Sequence, residues 1–70
     1  MRLSIRNQLT GQIVAVQPGA VMATVAVRLD GGGQTVTASI TKEAAEELGL
    51  AAGQTVTALI KSTDVAIGVQ

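Results

Sequence analysis

Residues 21–40 read VMATVAVRLDGGGQTVTASI, and this stretch decides the fold class. Its first half places an apolar residue at every second position from residue 21 to residue 29, which is the period of a strand with one face toward a core. Asp30 and three glycines follow, and these residues tolerate the backbone angles of a tight turn. Apolar residues then alternate with Thr and Ser up to Ile40. The pattern predicts an antiparallel hairpin over residues 20–41.

The segment before this hairpin also has a period of two. Residues 3–9 and 12–17 are typical of strands, and Gly11 predicts a bulge or bend between them. Within the second segment Ile13 and Ala15 alternate with their neighbours, so we expect the two side chains to share one face. Pro18-Gly19 predicts the turn into the hairpin.

The period changes once after the hairpin. Thr41 is suited to cap a short helix, Ala44, Ala45 and Leu48 give its apolar stripe, and Gly49 ends it. Alternating strands are predicted next, at residues 56–60 and 65–69. The resulting order, β-β-β-α-β-β, predicts an all-β protein with one short helix, folded as a five-stranded OB-fold-like barrel over residues 1–70.

Composition indicates that the chain assembles with itself. A domain of 70 residues buries only about 60% of the surface of its unfolded chain, so its core is marginal. The chain has no Cys and no His, which excludes stabilisation by disulfides or by a structural metal ion bound to these residues. Hydrophobic residues make up 47% of the chain and the mean hydropathy is +0.44, which is high for a small monomer. We therefore predict a stable homo-oligomer.

Charge and aromatic content exclude several functions. Five basic residues balance five acidic ones, which argues against broad binding to a phosphate backbone. No Phe, Tyr or Trp is present to stack on nucleic-acid bases. No apolar run reaches the length of a membrane span and no signal peptide is recognisable, so we expect a cytoplasmic protein. No nucleophile and base pair or carboxylate dyad suggests an enzyme.

The two ends of the chain carry the candidate binding residues. Ser4 and Arg6 near the start, and Lys61 and Ser62 near the end, each combine a hydroxyl with a cation, as in sites for small anions. Each pair also has a purely structural interpretation. Arg6 could be a charge that protects a strand edge, and residues 61–64 could simply form a turn.

The chain resembles the molbindins, small molybdate- and tungstate-binding proteins built from the Mop domain. The resemblance covers essentially the whole chain. It depends on the order and spacing of SIRNQL at residues 4–9 with Gly11, SIT at 39–41, ELGL at 47–50 with Gly53, and IKSTDV at 60–65. The lack of a leader, further domains or ATPase motifs favours the stand-alone storage form.

The resemblance implies a hexamer, a trimer of dimers, that holds molybdate or tungstate between subunits and uses no cofactor. Its implied site takes Ser4 and Arg6 from one subunit, and Thr41, the backbone amide near Ala45, Lys61 and Ser62 from its neighbour. The family commonly has a serine in the first helical turn, where this chain has Ala44 or Ala45, so one hydroxyl donor is missing. The turn at Pro18-Gly19-Ala20 is a candidate for a second class of site near the symmetry axes.

Two alternatives remain open at this point. Residues 40–56 are also similar to the loop and helix of AbrB-like swapped-hairpin transcription factors, which dimerise and bind DNA. Those domains usually carry a proline before the helix and several cations on the DNA face, whereas this chain has Thr41-Lys42 there and five scattered cations. The other alternative is a purely structural oligomerisation module.

Overall fold

The computed structural model describes residues 1–70 as four strands and one α-helix. The strands are β1 (Asn7–Pro18), β2 (Met22–Leu29), β3 (Thr35–Thr41) and β4 (Thr55–Ile60), and helix α1 (Lys42–Leu48) joins β3 to β4. One turn of 3-10 helix, Ser62–Asp64, follows β4. The strands form one antiparallel sheet in the order β3-β2-β1-β4. The fold is therefore all-β with one short helix, and the sheet is a curled half-barrel.

The predicted hairpin is confirmed. Strands β2 and β3 pair from Met22 opposite Thr41 to Arg28 opposite Thr35. In the loop between them Gly31 and Gly33 have φ of 76° and 70°, which residues with a Cβ rarely adopt. The glycine run therefore serves the turn.

Strand β1 is continuous, so the prediction of a bulge or bend at Gly11 was wrong. Gly11 pairs with Leu29 on one side and Val56 on the other. A Cβ on Gly11 would overlap the carbonyl oxygen of Arg28 and lie 2.9 Å from Cγ1 of Val27. This glycine is required because the β2 backbone approaches β1 closely.

The bulge in β1 lies three residues later and reverses the face of the strand. Ile13 pairs with Val27 and Ala15 with Ala26, so Val14 is the extra residue. An extra residue changes which side chains point inward. Ala15 is consequently exposed instead of sharing the buried face with Ile13 as predicted, and Val16 packs against the core.

The core is small, as the length of the chain predicts. Ile13, Val25 and Val27 form its buried centre, and Ala23 and Ala45 are the other buried hydrophobic residues. Half-buried apolar residues surround the centre: Val16, Leu29, Ala38, Ile40, Leu50 and Val56. Much apolar surface elsewhere stays exposed.

Helix α1 begins and ends as predicted. The Thr41 hydroxyl accepts a hydrogen bond from the Ala44 amide at 3.1 Å, and Gly49 ends the helix with φ of 63°. The predicted apolar stripe is only partly correct. Ala45 is buried, but Leu48 is 66% exposed, and Leu50 after the helix packs against the core.

The predicted fifth strand does not form in the single chain. Residues 65–69 belong to no strand, and Val65, Ile67 and Val69 are 48%, 86% and 92% exposed. Strand β4 pairs with β1 and strand β3 with β2, while β3 and β4 are the two edges of an open sheet. The five-stranded OB-type closure is therefore not confirmed, because residues 65–69 pair with neither of these open edges.

Candidate oxyanion site

The two terminal stretches meet because β1 and β4 are neighbours. Asn7 is the first residue of β1 and lies opposite Ile60, the last residue of β4. The segments just before Asn7 and just after Ile60 therefore leave the sheet side by side. They enclose a surface pocket of about 170 Å³, the terminal pocket, lined by Ser4, Ile5, Arg6, Lys61, Ser62 and Thr63.

The terminal pocket is rich in hydrogen-bond donors and carries positive charge. Arg6 and Lys61 supply two cations, three hydroxyl side chains add further donors, and no carboxylate lines the pocket. A deprotonated oxyanion has only acceptor oxygens, so this lining is complementary to it. All the lining residues except Ile5 are exposed, so one chain covers the pocket only in part.

Four of the six residues expected at the site lie in the terminal pocket. The resemblance assigned Ser4 and Arg6 to one subunit and Lys61 and Ser62 to its neighbour, whereas a single chain brings all four together. Sequence reasoning missed two lining residues, Ile5 and Thr63. Each is adjacent in sequence to a predicted ligand, and this adjacency was the available signal.

Thr41 and Ala45 lie elsewhere. Thr41 lines a separate groove of about 430 Å³ together with Ala20, Lys42 and two carboxylates, those of Glu43 and Glu46. Ala45 is buried and borders a different depression, next to Pro18. Residues of the predicted Pro18-Gly19-Ala20 turn are thus near the helix, but within one chain neither Thr41 nor Ala45 reaches the terminal pocket.

The amides at the start of α1 are already partly used. The Lys42 amide donates to the Val21 carbonyl at 2.8 Å, and the Ala44 amide donates to the Thr41 hydroxyl. The Thr41 hydroxyl, as the acceptor in that bond, still has its own proton to donate. The Thr41 hydroxyl is therefore one donor of this region that remains available to an anion.

A metal site and a membrane-spanning helix each have structural requirements of their own. No group of three or more His, Cys, Asp or Glu residues could hold a metal ion. The α-helix has seven residues, and no helix here has the length and apolar character to cross a membrane.

Comparison with known proteins identifies the family. The model of the TOBE domain matches residues 3–67. Molybdenum-pterin-binding protein 3 of Clostridium pasteurianum is 48% identical over 67 residues, which cover 96% of this chain and 97% of the relative. The chain belongs to the molbindin family of TOBE domains.

Solved structures of the family have the same fold. MopII from Clostridium pasteurianum, in a form described as apo, superposes with a TM-score of 0.91 at 41% identity, covering 97% of this chain and 100% of that one. The cytoplasmic molybdate-binding protein ModG, solved with molybdate bound, gives a TM-score of 0.92 at 46% identity. That match covers 100% of this chain and 49% of ModG. The comparisons thus support the molbindin resemblance over the AbrB-like alternative.

Proposed function

We propose that this protein binds molybdate or tungstate as the intact oxyanion, for storage or homeostasis in the cytoplasm, and catalyses no reaction. The observation that carries the proposal is the convergence of Ser4, Arg6, Lys61 and Ser62 in one pocket without a carboxylate. The molybdate bound to ModG, and the cytoplasmic description of that protein, support the ligand and the location.

The chemistry of the pocket suits a tetrahedral dianion. Arg6 and Lys61 together balance two negative charges, and the hydroxyls add short, directional hydrogen bonds. Molybdate is fully deprotonated at neutral pH, whereas phosphate keeps a proton that needs an acceptor. Since no carboxylate is present to accept it, phosphate should bind more weakly. Sulfate has no such proton, and its rejection must depend on the size of the site.

The names of several relatives refer to a molybdenum-pterin. The terminal pocket favours the inorganic anion over the pterin. A fused aromatic ring is usually held by stacking on an aromatic side chain, and this chain contains none. The lining is also almost wholly polar, with Ile5 as its one hydrophobic residue.

We propose that the complete site forms only in a homo-oligomer of this single domain, a hexamer built as a trimer of dimers. The terminal pocket is exposed in one chain, so a neighbouring subunit can cover it. That neighbour would add the Thr41 hydroxyl and the backbone near Ala45. The small core and the exposed apolar residues support assembly, because an interface removes such surface from water.

The assembly would also supply the missing fifth strand. An apolar groove of about 580 Å³ runs along the open side of the curled sheet, between β3 and β4. Residues 65–69 present alternating apolar side chains that are half to almost wholly exposed in their own chain. We propose that this segment pairs with a sheet edge of a second copy and covers its groove, which would close an OB-like barrel.

Isothermal titration calorimetry on the wild-type protein tests the binding proposal, with molybdate, tungstate, sulfate and phosphate as separate ligands. We expect molybdate and tungstate to bind alike, and sulfate and phosphate to bind more weakly. Analytical ultracentrifugation under the same conditions should give the mass of a hexamer. Absence of heat with both molybdate and tungstate would refute oxyanion binding, and salt-dependent binding of duplex DNA would instead support the AbrB-like alternative.

A further inference from the structure

A single side-chain hydrogen bond joins the ends of β1 and β4, from which the two segments lining the terminal pocket continue. Asn7 Nδ2 donates to the Ile60 carbonyl oxygen at 3.0 Å, across 53 positions of the sequence. The other three side-chain hydrogen bonds in the structure join residues only three positions apart. Asn7 is half-buried, so its bond is shielded from competing water more than a bond at the surface would be.

The position of this bond gives it a specific effect on the pocket. The pairing of β1 with β4 begins at Asn7 and Ile60, and no strand pairing holds the segments that line the pocket. Arg6 comes directly before this last pair and Lys61 directly after it. The Asn7 side chain therefore ties together the two backbone segments that carry the cations, at the point where strand pairing stops.

The bond also has an electrostatic effect. The Ile60 carbonyl belongs to the residue before Lys61, and the Asn7 amide donates to one of its two lone pairs. This bond makes that oxygen a weaker competitor for the Lys61 ammonium. Gln8 Nε2 donates to the Ile5 carbonyl at 2.9 Å, but this bond is exposed and stays within the first segment.

We propose that Asn7 is a positioning residue for the oxyanion, a role that rests on the proposed function of the terminal pocket. It holds Ser4 and Arg6 at a fixed distance from Lys61 and Ser62 without contacting the anion. Because these segments are ordered before the anion binds, less conformational entropy is lost on binding. Loss of the Asn7 bond therefore weakens affinity even when the donor side chains are intact.

The test compares Asn7→Leu with the control Gln54→Leu, whose side-chain hydrogen bond is exposed and lies outside the terminal pocket. Each variant removes one hydrogen bond between a side-chain amide and the backbone, but only the Asn7 bond joins β1 to β4 beside the pocket. Calorimetry with molybdate, below the unfolding temperature of every variant, should show about a fivefold higher Kd for Asn7→Leu, because the anion must then order segments that the Asn7 bond orders in advance. Gln54→Leu should stay within about twofold of wild type, because its bond joins residues 51 and 54 outside the pocket.

A second measurement separates positioning from general stability. Backbone order parameters from ¹⁵N relaxation, without anion, should fall at residues 4–6 and 61–63 in Asn7→Leu and stay unchanged within the strands. Equal Kd values for Asn7→Leu and wild type would overturn the positioning role. An equal loss of molybdate affinity in both variants would overturn it as well. The proposed function is tested separately by the wild-type protein. It is refuted if wild type does not bind molybdate although its order parameters show that residues 4–6 and 61–63 are ordered.

Discussion

Replacement of Lys61 by alanine is the most direct test of the terminal pocket. Lys61 is one of two cations that line the pocket, and it follows the end of β4 immediately. Its ammonium group would donate a charge-assisted hydrogen bond to the bound dianion. The substitution removes that donor and one positive charge. Because Lys61 is exposed in the chain, the fold without ligand should lose little stability.

The expected size of the effect follows from the exposure of the residue. Hydrogen bonds to charged groups contribute about 1.5–3 kcal/mol, and we take the low end, about 1.5 kcal/mol, because water competes at an exposed site. That loss raises Kd about 13-fold. At a molybdate concentration about 100 times the wild-type Kd, ligand stabilises the wild type by about 2.7 kcal/mol and the variant by about 1.3 kcal/mol. The molybdate-induced rise in Tm, about 4–8 °C per kcal/mol for a domain of this size, should therefore be roughly halved.

Thermal melting at fixed protein concentration, with and without molybdate, measures this difference. Arg28→Ala is the matched control, because Arg28 is an exposed cation on β2 outside the terminal pocket and its loss changes the net charge equally. The control should keep the full molybdate-induced shift. If Lys61→Ala also keeps it, the pocket assignment is refuted. If the molybdate-induced rise in Tm falls equally in both variants, anion binding depends on the net charge of the protein and not on a contact with Lys61.

Three further substitutions or truncations test the fold and the assembly. Gly11→Ala should lower the free energy of unfolding in urea by about 1–3 kcal/mol, since its Cβ would overlap β2 backbone, whereas Gly32→Ala, which meets open space, should change it little. Thr41→Ala should cost about 1 kcal/mol in the same assay through loss of the helix cap, and Thr41→Ser should restore most of it. Removal of residues 65–70 should leave the strand signal in circular dichroism and reduce the mass in ultracentrifugation; an unchanged mass would exclude these residues from the interface.

The elements that could be predicted from the sequence are those that local chemistry specifies. The hairpin and the helix depend on residues close in sequence: alternating side chains, the glycine run, a threonine cap at residue 41 and a glycine at residue 49. These preferences act within a few residues, so no partner segment is needed to recognise them.

The predictions that failed required knowledge of a distant partner. Gly11 is explained by the approach of β2, and the bulge at Val14 by the register against the same strand. Residues 65–69 have a strand pattern as clear as that of β4, yet they form no strand here. A strand needs an edge to pair with, and the sequence does not say whether the segment can reach an open edge of its own sheet.

For the binding site the sequence determined which chemical groups are present, and the tertiary structure decided which of them meet. The two terminal stretches are recognisable as candidate anion ligands because each carries a hydroxyl close to a cation, and side-chain chemistry is independent of folding. Their meeting depends on one strand pairing, Asn7 opposite Ile60, between residues 53 positions apart. The same folding leaves Thr41 in another groove. Contacts between distant residues arise only when the chain closes its sheet, and for this reason only the structure could place four of the six expected ligands together.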